Sequence, residues 1–149
     1  TEQGEAYRAL CVIGCDGIHS RLASRLCEAS AGAIQRSALH HTGHIMFRGV
    51  APDQPPFLDG ETMISAGGVG LKLVAYPIAS DETAGTQLIN WVVVILSEKV
   101  SSEHPTGDYD TFVSAEDVIA AVDGRLTLPF LDVDALVRAS PRINVWPMT

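Results

Sequence analysis

The stretch Thr86–Leu96, "TQLINWVVVIL", constrains the fold more than any other. It is rich in β-branched and aromatic residues, which suit a pleated, half-buried surface. It follows "LKLVAYPIAS" across the short polar turn "ASDETAG". A connection that short joins antiparallel neighbours, because parallel strands need a long crossover. One strand earlier, "TMISAGG" runs into "VGLKLVAYPI", with Gly67, Gly68 and Gly70 supplying a second tight turn. "HIMFRGVAP" is a further strand candidate, ended by Pro52. "DQPPFLDGE" then reads as a loop, since Pro55, Pro56 and Gly60 exclude regular pairing.

Helical signals follow the strands. "SAEDVIAAV" has Ser114 as an N-cap, with Glu116 and Asp117 in the first turn, where the helix dipole favours them. "DVDALVRAS" is a second short helix that stops before Pro141, and "RINVWPMT" is a last extended segment. "SEKVSSEHPTGDYD" is polar, broken by Pro and Gly, and reads as an exposed loop. The expected class is therefore α+β: a mixed, largely antiparallel sheet with helices on one face.

The beginning of the chain is of another kind. Tyr7–Ile13 in "YRALCVIGCDG" reads as a strand after a turn at "EQGE". Its nearly continuous apolar run is the pattern of a strand buried on both faces. In "SRLASRLCEAS", Ile18, Leu22 and Leu26 recur four apart on one helix face, with Ser20 as N-cap. This strand–turn–helix is expected to belong to a parallel α/β sheet that is not in this chain. The expected division is 1–30 as the end of such a domain and 31–149 as the antiparallel sheet domain.

Composition narrows the function. The 149 residues carry a net charge of -8, with no cluster of Lys and Arg, so neither nucleic acid nor an anionic membrane surface is an expected partner. The longest apolar run, Trp91–Leu96, is far short of the roughly 20 residues that span a bilayer. Three cysteines, Cys11, Cys15 and Cys27, without a Cys-x-x-Cys pair, suit a reducing, cytoplasmic compartment. Cys11 and Cys15, in or beside the first strand, are expected as small hydrophobes. His40, His41 and His44 have no Cys, Asp or Glu beside them in a closed zinc spacing, so no metal is expected.

The candidate site begins at "GCDGIHS". Gly17 allows close approach of backbone to a ligand. Asp16 places a carboxylate at the end of a strand, where open α/β sheets bind ligands. Ser20 opens a helix whose N-terminal amides favour anions. The same three residues also make an ordinary turn.

"LCVIGCDGIHSRLASRL" resembles the Asp-Gly motif of the flavin-dependent aromatic hydroxylases, the single-component FAD monooxygenases related to salicylate and 4-hydroxybenzoate hydroxylase. Asp16, Gly17 and Ser20 match the pattern; its final Arg is replaced by Ala23, flanked by Arg21 and Arg25. "HTGHIMFRGVAP" is similar to the family's aromatic-Arg-Gly strand. "LKLVAYPIAS" with "LINWVVVI" is similar to its Tyr-Pro and Asn-Trp strands. "NVWPMT" is similar to the segment before its Asp-Arg-Asp-Pro stretch. The Gly-x-Gly-x-x-Gly fingerprint and the Gly-Asp motif are absent, so the chain is expected to be the middle of a longer enzyme, inactive by itself.

The resemblance implies an FAD cofactor, NAD(P)H as reductant, O₂ and a small aromatic substrate. It places Asp16, Gly17 and Ser20 near FAD. It makes the sheet from Ile45 to Leu96 the cover over the substrate ring, with Tyr76 and Trp91 as aromatic surfaces and Arg48 opposite a carboxylate. Tyr76 and Trp91 serve a strand's core equally well, and Arg48 a solvent-facing position. A related epoxidase, halogenase or reductase, or a ligand-binding module without redox chemistry, stays open as an alternative. Substrate identity, NADH against NADPH and oligomeric state are left open.

Overall fold

The hairpin at the centre of the sequence is also the centre of the fold. In the computed structural model, residues 4, 6–17, 19–33, 41–97 and 111–148 are described. They fall into two units, Thr1–Leu39 and His40–Thr149.

The second unit holds a six-stranded sheet. Its strands are β1 (His44–Gln54), β2 (Ile64–Gly68), β3 (Leu71–Asp81), β4 (Thr86–Leu96), β5 (Phe112–Val113) and β6 (Ile143–Pro147), in the spatial order β2-β3-β4-β1-β6-β5. Every pairing among them is antiparallel. The parallel component of the expected mixed sheet is not seen among the described residues. β4 pairs with both β1 and β3 along most of its length, as its strand signal predicts. The extended segment at the end of the sequence is β6, whose ladder partner is β1, with the two-residue β5 at the edge.

Side chains alternate along these strands, and the alternation decides which face is covered. On β4, Ile89, Trp91, Val93 and Ile95 are buried; Phe47, Gly49 and Ala51 of β1 and Leu71, Leu73 and Ala75 of β3 share that face. Helices α2 (Ala115–Val122) and α3 (Val133–Arg138) complete the core with Val118, Val122, Val133, Leu136 and Val137. α3 packs on β1 and α2 on α3. The Ser114 cap of α2 matches the sequence. Ser114 and Asp117 form a capping box, with the Ser114 hydroxyl accepting from Asp117 N at 3.2 Å and Asp117 Oδ2 accepting from Ser114 N at 3.2 Å. The Asp132 carboxylate accepts from Ala135 N at 3.0 Å to start α3.

Two boundaries differ from expectation. β1 does not stop at Pro52. It passes through an irregularity between Ala51 and Gln54, with Asp53 in the left-handed region at φ 54°. At a bulge the missing proline N–H forfeits no ladder bond, so the strand resumes beyond it. β3 likewise shifts register between Pro77 and Ala79 and runs on to Asp81. Both irregularities lie opposite the same part of β4, residues 87–89.

The first unit contains helix α1, Arg21–Ala29, capped by Ser20, as the helix spacing predicts. Residues 7–13, expected as a doubly buried strand, do not form one. Tyr7, Leu10, Val12 and Ile13 are exposed, and no strand pairs with them among the described residues. An apolar run records a preference for being covered, but a strand exists only through neighbours that take its N–H and C=O groups. Cys11 and Cys15 are accordingly exposed rather than packed, and Cys27 is half-buried. The expected turn at residues 2–5, apart from Gly4, and the expected loop over 98–110 lie outside the described residues, as does His40. No group of His, Cys, Asp or Glu able to hold a metal occurs among the described residues. None of their helices is long and apolar enough to cross a membrane.

Candidate functional site

The face of the sheet opposite α2 and α3 carries Arg48, Tyr76, Asn90, Asn144 and Trp146. It is formed by the even-numbered residues of the long strands. Of these, Asn90 alone is buried, at 2% exposure; the rest of that face is half-buried or exposed. In register, Tyr76 on β3 lies beside Asn90 on β4, and Asn90 beside Val50 on β1. One row along, Arg48 on β1 stands between Val92 on β4 and Asn144 on β6, with Phe112 of β5 beyond Asn144. Met46 and Trp146 pair in the next row.

A shallow cavity of about 450 Å³ opens on this face against Arg48, Val50, Pro141, Arg142, Asn144 and Trp146. Arg142 lies with its guanidinium carbon 3.7 Å from the centre of the Phe112 ring, a cation–π contact. Arg48 donates from Nε to Asn90 Oδ1 at 3.2 Å and has no carboxylate partner among the described residues. The amide Nδ2 of Asn90 is buried without a hydrogen-bond partner. An unmatched buried donor costs about 1–3 kcal/mol, so its presence calls for a reason. Chemically, the cavity offers two guanidinium groups, Arg48 held by Asn90 and Arg142 over Phe112, beside the aromatic surface of Trp146, an arrangement that suits a flat anion.

Arg48 and Tyr76, two of the three residues expected near a substrate, share this face. Trp91 lies on the other. It is fully buried, and its Nε1 donates to Ser140 Oγ at 2.7 Å. β4 alternates, so adjacent Asn90 and Trp91 necessarily point in opposite directions. The aromatic surface beside Arg48 belongs instead to Trp146, which the sequence reading passed over. Its signal was the alternation in "RINVWP", with Ile143 buried and Val145 packed against the core, leaving Asn144 and Trp146 for the open side.

Asp16, Gly17 and Ser20 sit in the first unit as a linked turn. Ser20 Oγ donates to Asp16 Oδ1 at 2.5 Å, Leu22 N donates to Asp16 Oδ2 at 3.1 Å, and Ser20 Oγ accepts from Ala23 N at 2.9 Å. The Ser20 hydroxyl, and then the Leu22 amide, hold the Asp16 carboxyl below its ordinary pKa. Gly17 adopts φ 72°, a left-handed conformation, and its missing Cβ faces open space. The left-handed backbone thus favours glycine here. Ala23, where the resemblance expected a cation, spends its amide on the cap; Arg25 pairs with Glu28 at 3.2 Å.

These features define an antiparallel sheet with one helix-covered face and one open, cation-bearing face, accompanied by an Asp-Gly turn leading into a capped helix. No family model matches the chain. The chain is 29% identical over 151 aligned residues to the phenazine 1,6-dicarboxylic acid hydroxylase PhzS of Lysobacter antibioticus. The alignment takes in 96% of this chain and 33% of that protein, so the chain spans about a third of the length of the relative.

Proposed function

We propose that the chain is the substrate-covering part of an FAD-dependent, NAD(P)H-using monooxygenase that hydroxylates a small aromatic acid. The observation that carries the reading is the open sheet face. Arg48 is fixed there by Asn90, lacks a carboxylate partner among the described residues, and lies beside the cavity lined by Trp146. A flat aromatic body suits the surface of Trp146, which lines the cavity, and its acid group suits the guanidinium. The similarity to a hydroxylase whose substrate is an aromatic dicarboxylic acid supports the same class.

The Asp-Gly turn fits the edge of a flavin nucleotide. Asp16 is exposed, its carboxylate has lone pairs beyond those used by Ser20 and Leu22, and nothing lies within 4 Å of the Gly17 Cβ position to keep a ligand away. Asp16, Gly17 and Ser20 would hold it there. FAD, when bound and reduced by NAD(P)H, supplies oxygen activation. The residues of this chain bind the acid, orient the ring against the open face and keep water from its covered side.

The test is product analysis. The FAD-loaded longer enzyme that contains this chain, given NAD(P)H, ¹⁸O₂ and an aromatic acid, should yield product with one labelled oxygen on the ring, and Arg48→Leu in it should raise KM for the acid at least tenfold. Asp16→Ala should slow flavin reduction by NAD(P)H. Halogenated or epoxidised product would point to the neighbouring flavoprotein chemistries, and NAD(P)H oxidation without substrate oxidation to a reductase. Absence of any flavin-dependent turnover by that longer enzyme would sink the reading.

A further inference from the structure

We propose that Asn90 is a positioning residue for Arg48: its uncharged acceptor fixes the guanidinium through Nε and leaves the positive charge and both terminal nitrogens to a bound anion. The inference rests on reading the open face as an aromatic-acid site. Asn90 sits in the middle of β4, flanked by β3 and β1, at a position where the sheet itself has no use for an amide. Val74, Val92 and Val94 occupy neighbouring places on the same face and suit the strand better. The amide instead leaves Nδ2 buried and unmatched. What Asn90 contributes is therefore at its other end, where Oδ1 accepts from Arg48 Nε at 3.2 Å.

The choice of residue matters electrostatically. An aspartate would offer the same acceptor in the same shape, but its charge would pair with Arg48 and cancel the attraction for a ligand anion. A leucine would fill the space and leave Nε without its partner, so the guanidinium could rotate away from the cavity. Asparagine orients Arg48 without neutralising it. With Nε engaged, only the end-on fork of the two terminal nitrogens faces a carboxylate, which fixes the angle at which the attached ring enters the cavity.

The experiment uses the chain itself, with 1-naphthoate as probe and the uncharged 1-naphthamide as control, followed by quenching of tryptophan fluorescence. Trp146 borders the cavity and responds, whereas Trp91 is sealed in the core and gives a constant background. Asn90→Asp should weaken 1-naphthoate about tenfold or more, roughly 1.4 kcal/mol per decade, and leave 1-naphthamide within twofold. Asn90→Leu should weaken 1-naphthoate severalfold with the same indifference to the amide. In an Arg48→Leu background, neither substitution should weaken 1-naphthoate further. Equal loss of both ligands, or binding of 1-naphthoate within twofold of the parent by both variants while Arg48→Leu loses it, would overturn the role of Asn90 and leave the site standing. Unchanged binding by Arg48→Leu, or no binding of 1-naphthoate by the parent chain, would overturn the site reading together with it. If Asn90→Asp fails to fold by circular dichroism, Asn90→Leu, uncharged and branched at the same atom, decides the question.

Discussion

The indole of Trp91 lies over Gly49, its cross-strand partner, so closely that a Cβ on Gly49 would fall 2.5 Å from Trp91 Cζ2. On its other side Trp91 faces Ala75. The largest buried side chain of the core is thus accommodated between two of the smallest residues in the sheet. The glycine also carries the neighbouring Arg48 on the opposite face, so packing and site meet in one dipeptide.

Gly49→Ala should destabilise the sheet domain by ~1–3 kcal/mol, the usual cost of overpacking a filled core. Urea denaturation measures it directly. Restoring space with Gly49→Ala/Trp91→Phe should recover part of the loss, and a fully additive double variant would show that the two side chains do not compete.

Ser140→Ala removes the acceptor of the Trp91 indole N–H. Ser140 Oγ also donates to Leu136 O at 3.3 Å, so the hydroxyl joins the end of α3 to the middle of β4. The expected loss is ~1–3 kcal/mol, because a buried donor is left unmatched. Chemical denaturation followed by tryptophan emission should show it.

Leu136→Ala should cost ~2–5 kcal/mol, the range for emptying a leucine site in a close-packed core. Leu136 is 1% exposed on the helix that packs against β1. A change well below this range would mean that α3 re-settles onto the sheet.

Asp59 should titrate at about 2, below its ordinary 3.8. Its carboxylate accepts first from the Thr62 hydroxyl, at 2.6 Å, and also from the backbone N–H groups of Glu61 and Thr62. Because these bonds favour the charged form, the turn they hold should persist above the ordinary carboxylate range and loosen as pH falls through about 2. The Thr62 amide proton resonance should shift with that midpoint, and Thr62→Val should move the midpoint upward.

The antiparallel sheet, its turns, both capped helices after it and the Ser20 cap were legible because they rest on local signals. These are alternation along Thr86–Leu96, glycines at Gly67–Gly70, and Ser20 and Ser114 at helix starts; the Asp132 cap of α3 was not read. Residues 7–13 have strand-like composition but no strand partner among the described residues, and composition does not supply one. Trp91 and Trp146 exchanged places in the site because an aromatic residue in a strand signals burial or binding equally. Only counting outward from a neighbour of known facing decides between them. The hydrogen bond between Arg48 and Asn90, 42 residues apart, depends on pairing register across β1 and β4, which no local pattern encodes.

The paired irregularities opposite residues 87–89 of β4 act as a mechanical buffer between the two ends of the sheet. Beyond them lie the loop after Gln54 and the turn at residues 82–85, where chain length is easily changed. A slip of one residue in an unbroken strand would turn Arg48 and Tyr76 to the helix side and Trp91 outward. Here such a slip can be absorbed at Pro52–Asp53 or at Ile78 before it reaches them. Chain length at the far end of the sheet can therefore change while the open face keeps its side chains in place.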